Sequence, residues 1–187
     1  EADLIIDNSD SQGVQTFGST FDLDPSSASY QAYNDNFTVL MNEDNRDNKI
    51  RWTPDLSGIE GEYDIFVWYA VEWHNLPNNA PYTVTHDAGS TTIIVDQTQN
   101  GAQWYKIGTF DLSNGDYVEL GDDVQDNRRA CGDAVRFVRK SAKKATSPEN
   151  ATGIVRRNTE KNFEVYPNPV DGGDIVIQGL TSQCREL

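Results

Sequence analysis

The sequence predicts an all-β fold, an antiparallel β-sandwich of jelly-roll type. Short apolar or alternating runs recur along the chain, Gly, Asn, Asp and Pro punctuate them at regular intervals, and almost no stretch repeats with the 3.6-residue period of a helix.

The elements follow in order. DLIID (Asp3–Asp7) is the first strand. TFGSTFDL (Thr16–Leu23), FTVLM (Phe37–Met41) and KIRWT (Lys49–Thr53) come next, the last alternating cleanly. EYDIFVWYAVEW (Glu62–Trp73) is the longest and most aromatic. Tyr82–His86 and Thr91–Val95 flank DAGS, and Trp104–Leu112 and Tyr117–Leu120 flank SNGD; both sets read as hairpins. ACGDAVRFVR (Ala130–Arg139) closes the series, which makes nine or so strands.

Charge divides the 187 residues. Residues 1–139 carry 24 Asp and Glu against 8 Lys and Arg, a net of −16; residues 140–187 carry 6 against 7, a net of +1; the two sum to the formal −15. The step marks a boundary near Lys140. Residues 140–162 are polar, rich in Ser, Thr and Lys, and read as a flexible linker. Residues 163–187 return to strand character around a Pro-Asn-Pro turn. The acidic first part argues against nucleic acid and against anionic membrane surfaces, both of which call for clustered Lys and Arg. No apolar run approaches membrane-spanning length, so no membrane insertion is expected. The chain opens at Glu1 with no Met and no signal-peptide pattern, which suggests a processed start. Two cysteines, Cys131 and Cys184, make no disulfide framework, and Cys131 falls inside an apolar strand as a buried thiol.

The long strand carries the first candidates. Its odd face (Tyr63, Ile65, Val67, Tyr69, Val71, Trp73) is continuously apolar and belongs to the core. Its even face (Glu62, Asp64, Phe66, Trp68, Ala70, Glu72) is aromatic in the middle and suits a ligand platform, because sugars lay their C–H faces on flat rings. Packing under a loop is the other reading of Trp68. The following stretch EWHNLPNNAPY reads as a loop that brings Trp73, His74 and Tyr82 toward ligand, and Trp104 opens a later strand. Arg51, Arg128 and Arg129 are candidates for a sugar carboxylate or sulfate, since guanidinium presents a planar fork; ion pairs with neighbouring acids are the competing reading. No cofactor is required by any motif. Two acid-rich loops, NEDNRDN with Asp44 and Asp47 and GDDVQDN with Asp122 and Asp123, are candidates for structural Ca²⁺, though neither has EF-hand spacing.

No nucleophile elbow, zinc-protease, P-loop or dinucleotide motif is present, so no catalytic residue is assigned. A polysaccharide lyase remains the enzymatic alternative, with His74, Tyr82 and Arg51 cast as base and charge neutraliser. A structural or protein-docking sandwich is the second alternative.

IIDNSDSQGVQTFG, YTVTHDAGSTTIIVDQ, NGAQWYKIGTF and GDAVRFV occur in that order, and residues 4–138 resemble the Golvesin/xanthan-lyase carbohydrate-binding-like domain. The resemblance implies a non-catalytic β-sandwich module of a secreted bacterial polysaccharide-degrading enzyme. Its partners would be a polysaccharide, of acidic marine or plant type, and the parent's catalytic domain, with the module itself a monomer. NFEVYPNPVDGGDIVIQGL is similar to the start of the C-terminal sorting domain of the type IX secretion system of Bacteroidetes, and TSQCREL follows where further strands are expected. That second resemblance implies a truncated sorting domain and a secreted or cell-surface location.

Overall fold

The computed structural model describes residues 3–23, 30–34, 36–41, 47–71, 75–125 and 127–143, together with the backbone of 156–157 and 163–164. The chain divides into two compact units, Glu1–Lys144 and Ala145–Leu187. The first unit runs through β1 (Leu4–Asp7), β2 (Val14–Phe17), β3 (Thr20–Leu23), β4 (Phe37–Leu40), β5 (Lys49–Trp52), β6 (Gly61–Trp68), β7 (Ala80–His86), β8 (Gly89–Val95), β9 (Tyr105–Leu112), β10 (Val118–Gly121), β11 (Cys131–Gly132) and β12 (Ala134–Ala142). Every regular element among the described residues is a strand, and no helix is long and apolar enough to cross a membrane.

Three antiparallel sheets build this unit as a β-sandwich. One has the order β1-β12-β6-β9, a second β2-β5-β10-β7-β8, and a short third β11-β4-β3. Strand alternation supplies the core. On β6 the odd residues Tyr63, Ile65 and Val67 are buried and the even residues Glu62, Asp64, Phe66 and Trp68 are half-buried, as the period of two requires. Ile50 and Trp52 of β5, Tyr82 and Val84 of β7, Val118 and Leu120 of β10, and Val135 and Phe137 of β12 join the same buried cluster. Cys131 is free and buried there.

Three expectations are corrected. The run Thr16–Leu23 is two strands in different sheets, because the chain kinks at Gly18, whose φ of +72° suits glycine; a Cβ there would lie 2.2 Å from Asn48 Oδ1. SNGD forms a tight turn, with Asp116 N–H donating to Ser113 C=O at 3.1 Å, yet β9 and β10 belong to different sheets, so it is a corner and not a hairpin. The closing run also switches sheets: β11 pairs with β4 and β12 with β6. Gly132 permits that switch, since a Cβ there would lie 2.6 Å from Ile50 Cγ2 and 3.0 Å from Trp52 Cη2. β12 then runs to Ala142, past the Arg139 at which the sequence reading ends the domain. DAGS does close the hairpin β7–β8, with His86 opposite Gly89.

In the second unit β13 (Arg156–Arg157) pairs antiparallel with β14 (Phe163–Glu164). The Pro-Asn-Pro turn, the strand that follows it and Cys184 lie outside the described residues.

Candidate functional site

The outward face of β6 ends on Trp68, and two aromatic neighbours converge on it. Trp104, just before β9, sets its ring 5.4 Å from that of Trp68 at an interplanar angle of 73°. Tyr33, from the 30–34 loop, lies 5.7 Å from Trp68 and 5.1 Å from Trp104, centroid to centroid. All three rings are half-buried, and their tilts make a stepped aromatic surface instead of a flat one. The loop is held from both sides. Trp68 Nε1 donates to Gln31 C=O at 3.0 Å, and the Tyr33 N–H donates to Asp133 Oδ2 at 2.9 Å. Gln31 and Asn34 take φ of 49° and 56°, the left-handed turns that bring Tyr33 round to face the rings.

β12 adds a cation. Its register sets Arg136 opposite Phe66 on β6 and opposite Ile5 on β1. The guanidinium lies 5.6 Å from the Phe66 ring centre and 5.8 Å from that of Trp104, within cation–π range. Arg136 Nε donates to Asp3 Oδ2 at 2.8 Å, and Nη2 donates to the same oxygen. Farther along β6, Asp64 accepts from Lys106 Nζ and Thr109 Oγ1, both at 2.7 Å, and these bonds hold its carboxyl below the usual range, the Lys106 bond most of all. The face therefore runs from an aromatic end with one arginine to a polar end of paired charges. Rings offer stacking to an apolar sugar face, and the arginine offers its fork to a carboxylate.

Of the candidate ligand residues that the sequence singles out and the structure describes, Trp68 and Trp104 meet here. Tyr82 is corrected: it is fully buried on β7, its hydroxyl accepting from Gln97 Nε2 at 3.1 Å, and burial pushes its pKa well up. It faces inward because β7 begins at Ala80, where the sequence reading has a loop. Arg51 lies on the other large sheet, bonded to Glu119 at 3.0 and 2.6 Å and stacked 3.8 Å from the Tyr117 ring centre and 5.0 Å from that of Phe17. Arg128 and Arg129 flank the 75–76 segment: Arg128 Nη1 donates to Leu76 C=O at 3.4 Å and Arg129 N–H to Asn75 C=O at 3.0 Å. Trp73 and His74 lie outside the described residues.

The acidic loops change meaning as well. Asp122 is fully buried and accepts from Asn48 Nδ2 at 2.7 Å, so it latches one loop to the other inside the protein. Asp47 and Asp123 are exposed, and Asp44 lies outside the described residues. Among the described residues no three His, Cys, Asp or Glu side chains gather to hold a metal ion.

Tyr33 and Arg136 were not singled out from the sequence. Alternation in AVRFVR places Arg136 outward, but its pairing with Phe66 is a long-range register that local pattern does not encode.

Residues 4–139 match the family model of the Golvesin C-terminal domain. The chain belongs to that family. A xanthan lyase of Bacillus sp. (strain GL1) is 28% identical to this Golvesin-type chain over 139 residues, which is 72% of this chain and 14% of the lyase. The structure of Paenibacillus xanthan lyase at 2.6 Å superposes with a TM-score of 0.65 at 26% identity, covering 74% of this chain and 13% of that one. The chain thus spans about one seventh of the length of the relative it matches.

Proposed function

We propose that the Golvesin-type sandwich is a non-catalytic carbohydrate-binding module of a polysaccharide-degrading enzyme, and that it holds an acidic polysaccharide on the Tyr33–Trp68–Trp104 surface with Arg136 reading the charge. The half-buried aromatic cluster beside that arginine carries the reading. Xanthan lyases among the relatives support a link to polysaccharide. A single sugar ring on such a surface binds weakly. Tethering compensates, because a bound module raises the local concentration of its catalytic partner on the polymer. The lyase alternative loses support at two residues, since Tyr82 is buried and Arg51 is already paired and stacked. Export by the type IX route, to a secreted or cell-surface location, rests on the tail resemblance.

Affinity electrophoresis of the full chain in gels containing xanthan, alginate, ulvan, carrageenan or a neutral glucan tests the proposal. Retardation by at least one acidic polysaccharide, lost in Trp104→Ala, is the expected result. Equal mobility in every gel would overturn it.

A further inference from the structure

Where β1 ends and β12 begins, the sandwich buries three oxygen atoms that no donor reaches. Asp7, Asn8 and Asp133 are 3%, 9% and 0% exposed. Asp7 stands opposite Ala134, the residue after Asp133, and Asn8 donates to Thr38, which stands opposite Gly132, the residue before Asp133, so the three residues lie around one corner. Each spends part of its bonding capacity locally. Asp7 Oδ1 accepts the Ser9 N–H at 3.0 Å, Asp133 Oδ2 accepts the Tyr33 N–H at 2.9 Å, and Asn8 Nδ2 donates to Thr38 Oγ1 at 3.2 Å and to Asn36 Oδ1. The remaining oxygens, Asp7 Oδ2, Asn8 Oδ1 and Asp133 Oδ1, have no hydrogen-bond partner.

Folded proteins rarely tolerate this. One buried acceptor without a donor costs about 1–3 kcal/mol, and a charged one more. Two buried carboxylates close together add like-charge repulsion, and the Asp133 carboxyl is accordingly pushed up to about 8, by burial first and by the Asp7 charge as well. All three atoms are hard oxygens, with no imidazole or thiolate among them, which excludes a zinc-type set. A hard divalent cation removes the repulsion and satisfies all three atoms together. Ca²⁺ takes six to eight oxygens in an adaptable shell, so carboxylate, amide, backbone carbonyl and water ligands can combine.

We propose that Asp7 Oδ2, Asn8 Oδ1 and Asp133 Oδ1 form a Ca²⁺ site that ties the end of β1 to the start of β12. The site is distinct from the acidic loops at Asp47 and Asp123, which carry exposed carboxylates. It does not depend on the carbohydrate reading, yet it touches that surface. Asp133 holds the Tyr33 backbone through its second oxygen, and an ionised Asp133 strengthens that bond. Ca²⁺ would thereby steady the loop that delivers Tyr33 to Trp68 and Trp104.

The test uses the full chain, freed of metal with EDTA and titrated with CaCl₂ by calorimetry. Saturable one-to-one binding is expected, at about 10⁻³ M or tighter, the range of extracellular Ca²⁺ modules. The melting temperature should rise with free Ca²⁺. Asp133→Asn and Asp7→Asn should each weaken binding at least tenfold, while Asp123→Asn leaves it unchanged. Asn mimics a protonated carboxyl in shape, so both variants suit the metal-free fold, and circular dichroism checks that they fold. Should either fail to fold, Tb³⁺ luminescence excited through the aromatic rings of the unaltered chain decides, since Trp68 stands opposite Ala134, next to Asp133. No saturable binding up to about 10 mM Ca²⁺, no sensitised Tb³⁺ emission, tighter binding of Mg²⁺ than of Ca²⁺, or equal Ca²⁺ binding by folded Asp133→Asn and Asp7→Asn would each overturn the proposal.

Discussion

Replacing Trp104 by Ala should weaken polysaccharide binding about thirtyfold while leaving the sandwich folded. The indole contacts Tyr33 at 5.1 Å, Trp68 at 5.4 Å and the Arg136 guanidinium at 5.8 Å. Each aromatic pair contributes ~0.5–1.5 kcal/mol beyond its buried area, and an exposed cation–π contact ~0.5–1 kcal/mol. The summed loss to folding is about 1.5–4 kcal/mol, and half-exposure of the ring places it near the lower end. A domain with about 5–15 kcal/mol of stability survives that. Binding loses more in proportion. An aromatic anchor at the centre of a site contributes ~2 kcal/mol or more, which is about thirtyfold in affinity. Affinity electrophoresis over a series of polysaccharide concentrations reads the dissociation constant, and a urea melt of the same variant shows how much of it is folded. Ile94→Ala, at an exposed residue on the edge strand of the other large sheet, is the control and should bind normally. A folded Trp104→Ala that binds within about twofold of the unaltered chain would refute the reasoning and move the site elsewhere.

Three further outcomes follow from the same geometry. Gln97→Leu should destabilise the fold by about 3–5 kcal/mol in urea melts, because the buried Gln97 amide serves Tyr82 Oη at 3.1 Å, Cys131 C=O at 2.7 Å and Cys131 N–H at 3.0 Å, and Leu would strand all three groups; a loss below about 1 kcal/mol would show that these bonds matter little. Asp3→Asn should raise affinity for acidic polysaccharide up to about fivefold and leave neutral glucan unchanged, because it frees Arg136 from an exposed ion pair of only ~0–1 kcal/mol; weaker binding to the acidic polymer would contradict it. Asp64 has a folded pKa below its unfolded value, so its contribution to stability is present above the unfolded pKa and is lost as pH falls through the folded one. Urea midpoints followed from about pH 5 downward should therefore fall less steeply in Asp64→Asn than in the unaltered chain, and equal slopes would remove Asp64 from the acid response.

Much of the fold is legible in the sequence because strand alternation is local. The buried odd face and half-buried even face of β6 follow from side-chain parity alone, and so does the outward Trp68. Pairing is not local, and that is where reading fails. The SNGD turn is correctly a turn, but nothing near it says that β10 will pair with β5 and β7 instead of β9. Gly18 and Gly132 look like ordinary glycines until Asn48 and Trp52 are seen pressing on them. The site follows the same rule. Its tryptophans stand out by type, whereas Tyr33 sits in a nondescript loop and acquires its place through Gln31, Asn34 and Asp133. Acidic clusters mislead for a related reason: Asp122 looks like a surface ligand and is an interior acceptor.

On the proposed reading, the choice of arginine decides which face would hold an acidic ligand. Arg51 and Arg136 each lie against two aromatic rings and each meet a carboxylate, so type and neighbours do not separate them. Their commitments do. Arg51 gives two donors to Glu119, whose side chain is 12% exposed and which also pairs with Lys49 at 3.1 Å. Drawing it to a ligand would leave a largely buried carboxylate undercompensated and would undo a 3.8 Å stack on Tyr117. Arg136 meets Asp3 where both side chains are 31% exposed. Water can take over Asp3 at little cost, and the guanidinium can turn its fork to an incoming carboxylate while still lying over Phe66 and Trp104. The four-stranded sheet therefore offers a ligand rings and an available cation together, whereas the five-stranded sheet has already spent its Arg51 on its own stability.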